Sequence, residues 1–271
     1  MEIGISTACF YPALLEDAVK EALALGFKKL EVFFNTASEY EPAFVDELGR
    51  CVRDAGASVV SVHSYSAAFE GFLFFSGYER RVRDAIELYR PYFAAGAALG
   101  ARYFTFHGER RFGLHPESSG GQDNPDLPSE HTFEGLSRLC QAAQEEGITL
   151  SQENVVWCRS SSPAYIKTLR EAVPALCYTL DFKQARRAGR ELTEYMDAMG
   201  DGLVNIHLND CNETESCLLP TYGNLNYEQL FSDLRRRGYS GDCLIEVYSH
   251  NYCSVNELKN VGFYLQNLVN L

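Results

Sequence analysis

Seven ionisable residues of this chain sit in or at the ends of short apolar runs: Glu31, His63, His107, Glu153, Asp181, His207 and Glu246. A charged group carried on an apolar stretch must find a partner, because burying an isolated charge is prohibitively costly. One such histidine is ordinarily satisfied by a hydrogen bond inside a core. Seven at equivalent places do not fit that reading independently. Glu153, Asp181, His207 and Glu246 come from consecutive runs, and three carboxylates brought to one point repel each other unless a cation neutralises them. The chemistry expected of the set is therefore a divalent-metal site. Two cysteines, Cys9 and Cys211, also follow apolar runs. A catalytic thiol needs an adjacent base, and the sequence supplies none for either.

The elements that must position these residues recur as a helical stretch, a glycine stop and a short apolar strand. Gly26, Gly56, Gly100, Gly147, Gly200 and Gly238 end the helical stretches, and Pro174 does so in the sixth unit. Strands are predicted at Glu2–Ser6, Leu30–Phe34, Val59–His63, Tyr103–His107, Ile148–Glu153, Leu176–Asp181, Leu203–His207 and Cys243–Glu246. Between them, Leu15, Ala18, Val19 and Ala22 mark one helical face, and Val82, Ala85, Ile86 and Tyr89 mark another. Pro91 is expected to kink or divide that second helix. Ser162 and Pro163 form an N-cap and first-turn proline, and Asn226 with Gln229 resembles a capping box. Eight alternations of strand and helix predict a closed (β/α)8 TIM barrel, with active-site groups at the carboxyl ends of the strands. The turn after the first strand, Ser6–Phe10, carries no dinucleotide-binding glycine pattern. Residues 1–271 are expected to form one domain, with a Gly- and Pro-bearing loop over the barrel mouth at about 108–130.

The chain has 271 residues, 24 basic and 37 acidic, for a net charge of −13. That balance repels phosphate backbones and anionic lipid, so nucleic-acid and membrane partners are not expected. No apolar run approaches the length of a membrane span, and the N-terminus lacks a secretory pattern. The nine cysteines include no C-x-x-C pair. Reduced thiols and a cytoplasmic location are expected. A homodimer is compatible with a barrel's outer face.

Four phrases carry a family resemblance: Ser151–Asn154, Leu180–Phe182, Ile206–Asp210 and Ile245–Val247, with Gly238–Gly241 before the last strand. Across essentially its whole length the chain resembles the xylose isomerase-like TIM-barrel superfamily of sugar isomerases and epimerases, inosose-processing enzymes and endonuclease IV. The resemblance implies one divalent metal (Mn, Mg, Co or Zn) on Glu153, Asp181, His207 and Glu246. It implies a carbohydrate hydroxy-ketone as substrate, with Glu153 and Glu246 transferring protons on opposite faces through an enediolate. It also implies substrate contacts from His63, His107, Gln184, Asn154 and Asp210. A second metal at His63 and His107, as in endonuclease IV, is disfavoured. Gln184 stands where the epimerases usually have histidine, and the acidic stretch Asn212–Glu215 stands where they commonly carry arginine. The expected activity is thus isomerisation or epimerisation of a small carbohydrate. An inosose-type dehydratase and a non-catalytic sugar sensor are the alternatives, and abasic-site endonuclease activity is disfavoured. Arg110 and Arg111 could hold an anion, although a neutral sugar or small keto acid is preferred.

Overall fold

The computed structural model describes residues 1–111, 124, 126–129 and 131–271. Most of the expected mouth loop lies outside these residues. In chain order the elements are β1 (Ile3–Ser6), α1 (Leu15–Ala24), β2 (Lys29–Phe33), α2 (Pro42–Asp54), β3 (Ser58–His63), α3 (Glu70–Leu73), α4 (Glu79–Ala98) and β4 (Tyr103–Phe106). They continue with α5 (Thr132–Glu145), β5 (Thr149–Glu153), α6 (Pro163–Ala172), β6 (Cys177–Asp181), α7 (Phe182–Arg187) and α8 (Leu192–Met199). The last four are β7 (Leu203–Leu208), α9 (Tyr227–Arg236), β8 (Asp242–Ile245) and α10 (Val255–Val269).

The strands form a closed, all-parallel barrel in sequence order, shut by β1 against β8 with Ile3 opposite Cys243 and Ile5 opposite Ile245. Glycine ends the helices as the sequence requires: Gly26 and Gly100 adopt φ of 96° and 79°, which a side chain disfavours. The predicted faces pack inward, with Leu15, Ala18, Val19 and Ala22 of α1 and Val82, Ala85, Ile86 and Tyr89 of α4 all buried. Ser162 accepts from the Tyr165 amide at the start of α6, beside Pro163. Pro91 does not divide its helix; α4 runs through it for 20 residues. The proline is exposed, so the carbonyl it leaves unpaired faces water, while buried Tyr89, Tyr92 and Phe93 pin both sides of it. Asn226 accepts from the Gln229 amide, but the Gln229 side chain donates to Asp233 instead of closing a capping box.

Successive strand residues point alternately in and out, so residues two apart share the barrel interior. Ser61, Thr105, Ser151, Thr179 and Asn205 each precede by two a residue singled out above: His63, His107, Glu153, Asp181 and His207. All five are fully buried and hydrogen-bonded: Ser61 and Thr105 donate to Glu31, Ser151 pairs with Thr179, and Asn205 donates to Ser61. The interior below the mouth is thus a polar layer in which donors meet acceptors, and it holds the ionisable tier above it in place. Phe34, Phe93, Phe104, Tyr165 and Phe231 belong to the apolar core, which also takes in the buried faces of the helices.

Candidate active site

The ends of β5 to β8 bring three expected ligands, Glu153, Asp181 and Glu246, around the fourth, His207. Ligand atoms of Glu153, Asp181 and His207 lie within 4.8 Å of one another, as do those of Glu31, His207 and Glu246. The His207 imidazole is fully buried, its Nε2 3.1 Å from Glu31 Oε2 and its Nδ1 3.1 Å from Glu246 Oε2 and 4.0 Å from Asp181 Oδ2. Glu31 sits deeper than the mouth and accepts from Ser61 Oγ at 2.6 Å. It aims the imidazole, so that Nδ1 faces the carboxylates. One oxygen of Asp181 is structural: Oδ1 accepts from the Gln184 amide and from Asn209 Nδ2. Its other oxygen, Oδ2, makes no hydrogen bond and approaches Lys183 Nζ at 2.8 Å.

A second cluster adjoins the first. His63 Nε2 and His107 Nε2 are 3.0 Å apart, and each lies 3.6 Å from Glu153 Oε2. His63 is stacked on Phe33 and contacts the Ser64 carbonyl through Nδ1, while His107 meets the Trp157 ring edge-on at 5.0 Å.

The electrostatics follow from burial and crowding. Burial penalises ionised Glu153, but the imidazoles of His107 and His63 beside it outweigh it and hold the carboxyl well below its usual range. Burial likewise opposes ionisation of Glu246, and Lys183 with His207 reverses that effect. Burial works against a charged His63 and His207 too; carboxylates beside them prevail, Glu153 for His63 and Glu31 with Glu246 for His207, and both imidazoles are raised. Asp181 goes the other way. Burial, abetted by Glu246 and Glu153, pushes it up to about 7 despite Lys183. A buried carboxyl beside two other carboxylates is costly to ionise, and a divalent metal at that point would relieve the cost. The donor set of three carboxylates and one imidazole fits such an ion.

Three expected substrate contacts are engaged elsewhere. Asn154 spends both polar atoms on the Asp181 backbone, donating to its carbonyl at 3.0 Å and accepting from its amide at 2.6 Å. Asp210 accepts from the amides of Cys211, Thr221 and Leu225 and so folds the loop after β7. The Gln184 carbonyl oxygen accepts from the Val156 amide. Asn154 and Asp210 are struts that fix a strand end and a loop, whereas Gln184 is engaged through its side-chain oxygen and not through its amide nitrogen. Arg110 lies over the Trp157 ring, its guanidinium carbon 4.6 Å from the centroid. All nine cysteines are free. Cys9 is fully buried and its thiol is pushed up to about 12 by desolvation, so it is inert as a nucleophile. Cys211 is raised too, again by burial first.

Sequence reasoning missed Lys183, whose ammonium is 2.8 Å from Asp181 Oδ2 and 2.9 Å from Glu246 Oε2. It also missed Asn209, which donates to Asp181 Oδ1 and to the Glu246 carbonyl. The available signals were a lysine two residues after a strand-end aspartate and an asparagine two residues after a strand-end histidine.

The architecture is a closed eight-stranded parallel barrel that carries this carboxylate–imidazole set at the ends of β5 to β8. The chain belongs to the xylose isomerase-like TIM-barrel family, whose model matches residues 19–263. It is 21% identical over 258 residues to fructoselysine 3-epimerase of Escherichia coli O157:H7, covering 91% of this chain and 90% of that one. Its fold is similar to that of a D-psicose 3-epimerase from Clostridium cellulolyticum H10, with a TM-score of 0.78, 14% identity and coverage of 100% and 98% of the two chains. It is also similar to the IolI protein, solved with a bound zinc atom, with a TM-score of 0.77, 14% identity and the same coverage. No helix among the described residues is long and apolar enough to cross a membrane.

Proposed function

We propose that the chain is a divalent-metal-dependent isomerase or epimerase of a small carbohydrate, a ketose, inosose or hydroxy-keto acid, that works by moving a carbon-bound proton. The observation that carries this reading is the convergence of Glu153, Asp181, His207 and Glu246 at consecutive strand ends, with Nδ1 of His207 and Oδ2 of Asp181 buried and facing the neighbouring carboxylates and cations of the cluster. Relatives that act on keto sugars by name support the substrate class, and the zinc of the IolI structure supports the metal.

A bound divalent ion supplies Lewis acidity, which draws electron density from a substrate carbonyl and makes the neighbouring C–H more acidic. Asp181 and His207 act as ligands only. Glu153 and Glu246 are ionised at neutral pH, as a base must be, and each has a second carboxylate oxygen for proton transfer. One takes the proton from the carbon beside the carbonyl. Delivery of a proton on the opposite face by the other glutamate, after that carboxylate has taken one up from solvent, inverts that carbon; return of the abstracted proton to the neighbouring carbon moves the carbonyl. His63 and His107 hold Glu153 in position, and His107, whose Nδ1 makes no hydrogen bond, is the one of the two with a ring nitrogen left for a substrate hydroxyl.

The test is a product screen by NMR with Mn²⁺ over free ketoses, inososes and hydroxypyruvate. An epimer or isomer is expected. An unsaturated or deoxy product would instead establish a dehydratase on the same residues, and ligand binding without turnover of any compound would establish a sensor.

A further inference from the structure

Lys183 is the one lysine of the described residues buried among the proposed ligands, placed by the first turn of α7. Its ammonium makes ion pairs at 2.8 Å with Asp181 Oδ2 and at 2.9 Å with Glu246 Oε2. Those are the same oxygens that turn toward His207 Nδ1. A divalent ion binds carboxylate oxygen at about 2.0–2.2 Å, so an ion and an ammonium cannot both approach this pair of oxygens closely. They would also repel each other across a few ångströms of water-poor interior, where charges are weakly screened. The side chain has somewhere else to go. Lys183 Nζ already lies 5.4 Å from the centroid of the Tyr248 ring, a face that favours cations, and the ring is held by Arg187 NH1 donating to its hydroxyl at 3.2 Å.

We infer that the Lys183 ammonium and the divalent metal compete for the Asp181–Glu246 carboxylate pair, with the Tyr248 ring receiving the ammonium when metal enters. Lys183 is then a built-in counter-ion: it keeps the crowded carboxylates folded together without metal, and it sets how tightly metal is held. This rests on the metal-site reading above and adds a residue to it. A purely structural lysine predicts the opposite sign, since losing a strut loosens a metal site.

The test is Mn²⁺ titration by calorimetry of the full chain and of Lys183→Met, with thermal melting of both in EDTA. We expect K183M to bind Mn²⁺ at least about tenfold more tightly and to melt at a lower temperature in EDTA. Lys183→Gln serves if K183M does not fold. Tyr248→Leu, at a half-exposed position, should weaken Mn²⁺ binding in the parent and have no effect when combined with K183M. Mn²⁺ binding by the parent that is equal or tighter than that of K183M would overturn the competition alone. Failure of both chains to bind Mn²⁺ would overturn the metal site and the competition together.

Discussion

The decisive residue-scale feature is a charge imbalance. Glu31, Glu153, Asp181 and Glu246 crowd around His63, His207 and Lys183 in a largely buried space, and Asp181 rises to about 7, through burial first and the neighbouring Glu246 and Glu153 second. His207 is raised as well, because Glu31 and Glu246 overcome the effect of burial on it. Both groups must lose a proton to bind metal. Metal binding should therefore release protons, and affinity should increase with pH, most steeply below about 7, where both groups carry a proton. Calorimetry in buffers of different ionisation heat measures this; a flat affinity from about pH 6 to about 8 would contradict it. His207→Ala should abolish stoichiometric metal, read by elemental spectrometry of the purified protein. Glu31→Gln should weaken metal binding by about 10- to 100-fold, because Glu31 orients His207 from below. The ligand residues themselves were legible as ionisable groups closing apolar runs. Glu31 and Lys183 were harder to place. Whether a residue lies above or below a ligand, or reaches back to it from a helix, depends on barrel stagger and side-chain direction, which spacing along one strand does not encode.

At the scale of elements, the strands had been legible to within about a residue because most follow a glycine stop and close on an ionisable residue. His107 and Glu246 fall one residue beyond β4 and β8. What spacing could not convey is how loops consume polar side chains. Asn154, Asp210 and Gln184 look like ligand groups in the sequence, yet backbone amides claim them. Asn154 in particular laces the end of β5 to that of β6. Asn154→Ala leaves a buried amide and carbonyl of Asp181 unpaired, and it should cost about 2–3 kcal/mol in urea unfolding. The proposed catalytic groups themselves would be unaltered, so turnover per metal-loaded molecule should fall far less than in Glu153→Gln. Loss of activity with no loss of stability would instead restore Asn154 as a substrate contact.

For the whole molecule, the net charge of −13 and the polar barrel interior point the same way. A strongly acidic protein gains nothing from counterion release on DNA, so no binding to or cleavage of an abasic duplex is expected at physiological salt. Specific cleavage that disappears in Glu153→Gln would overturn that. The barrel brings residues from β3 through β8, more than a hundred positions apart in sequence, to one end. It does so with small hydroxyl and amide side chains one step below His63, His107, Glu153, Asp181 and His207, a rigid base for the proposed site.

The most direct measurement is deuterium incorporation. Incubating an accepted keto sugar with the metal-loaded protein in D₂O should place deuterium on the carbon beside the carbonyl, because a carboxylate that has taken a proton exchanges it with solvent once the site opens. Glu153→Gln and Glu246→Gln should each lower that incorporation by about 10²-fold or more, while metal retained through an amide oxygen separates lost proton transfer from lost metal. Tight binding of the sugar with no deuterium uptake, metal present, would contradict the account.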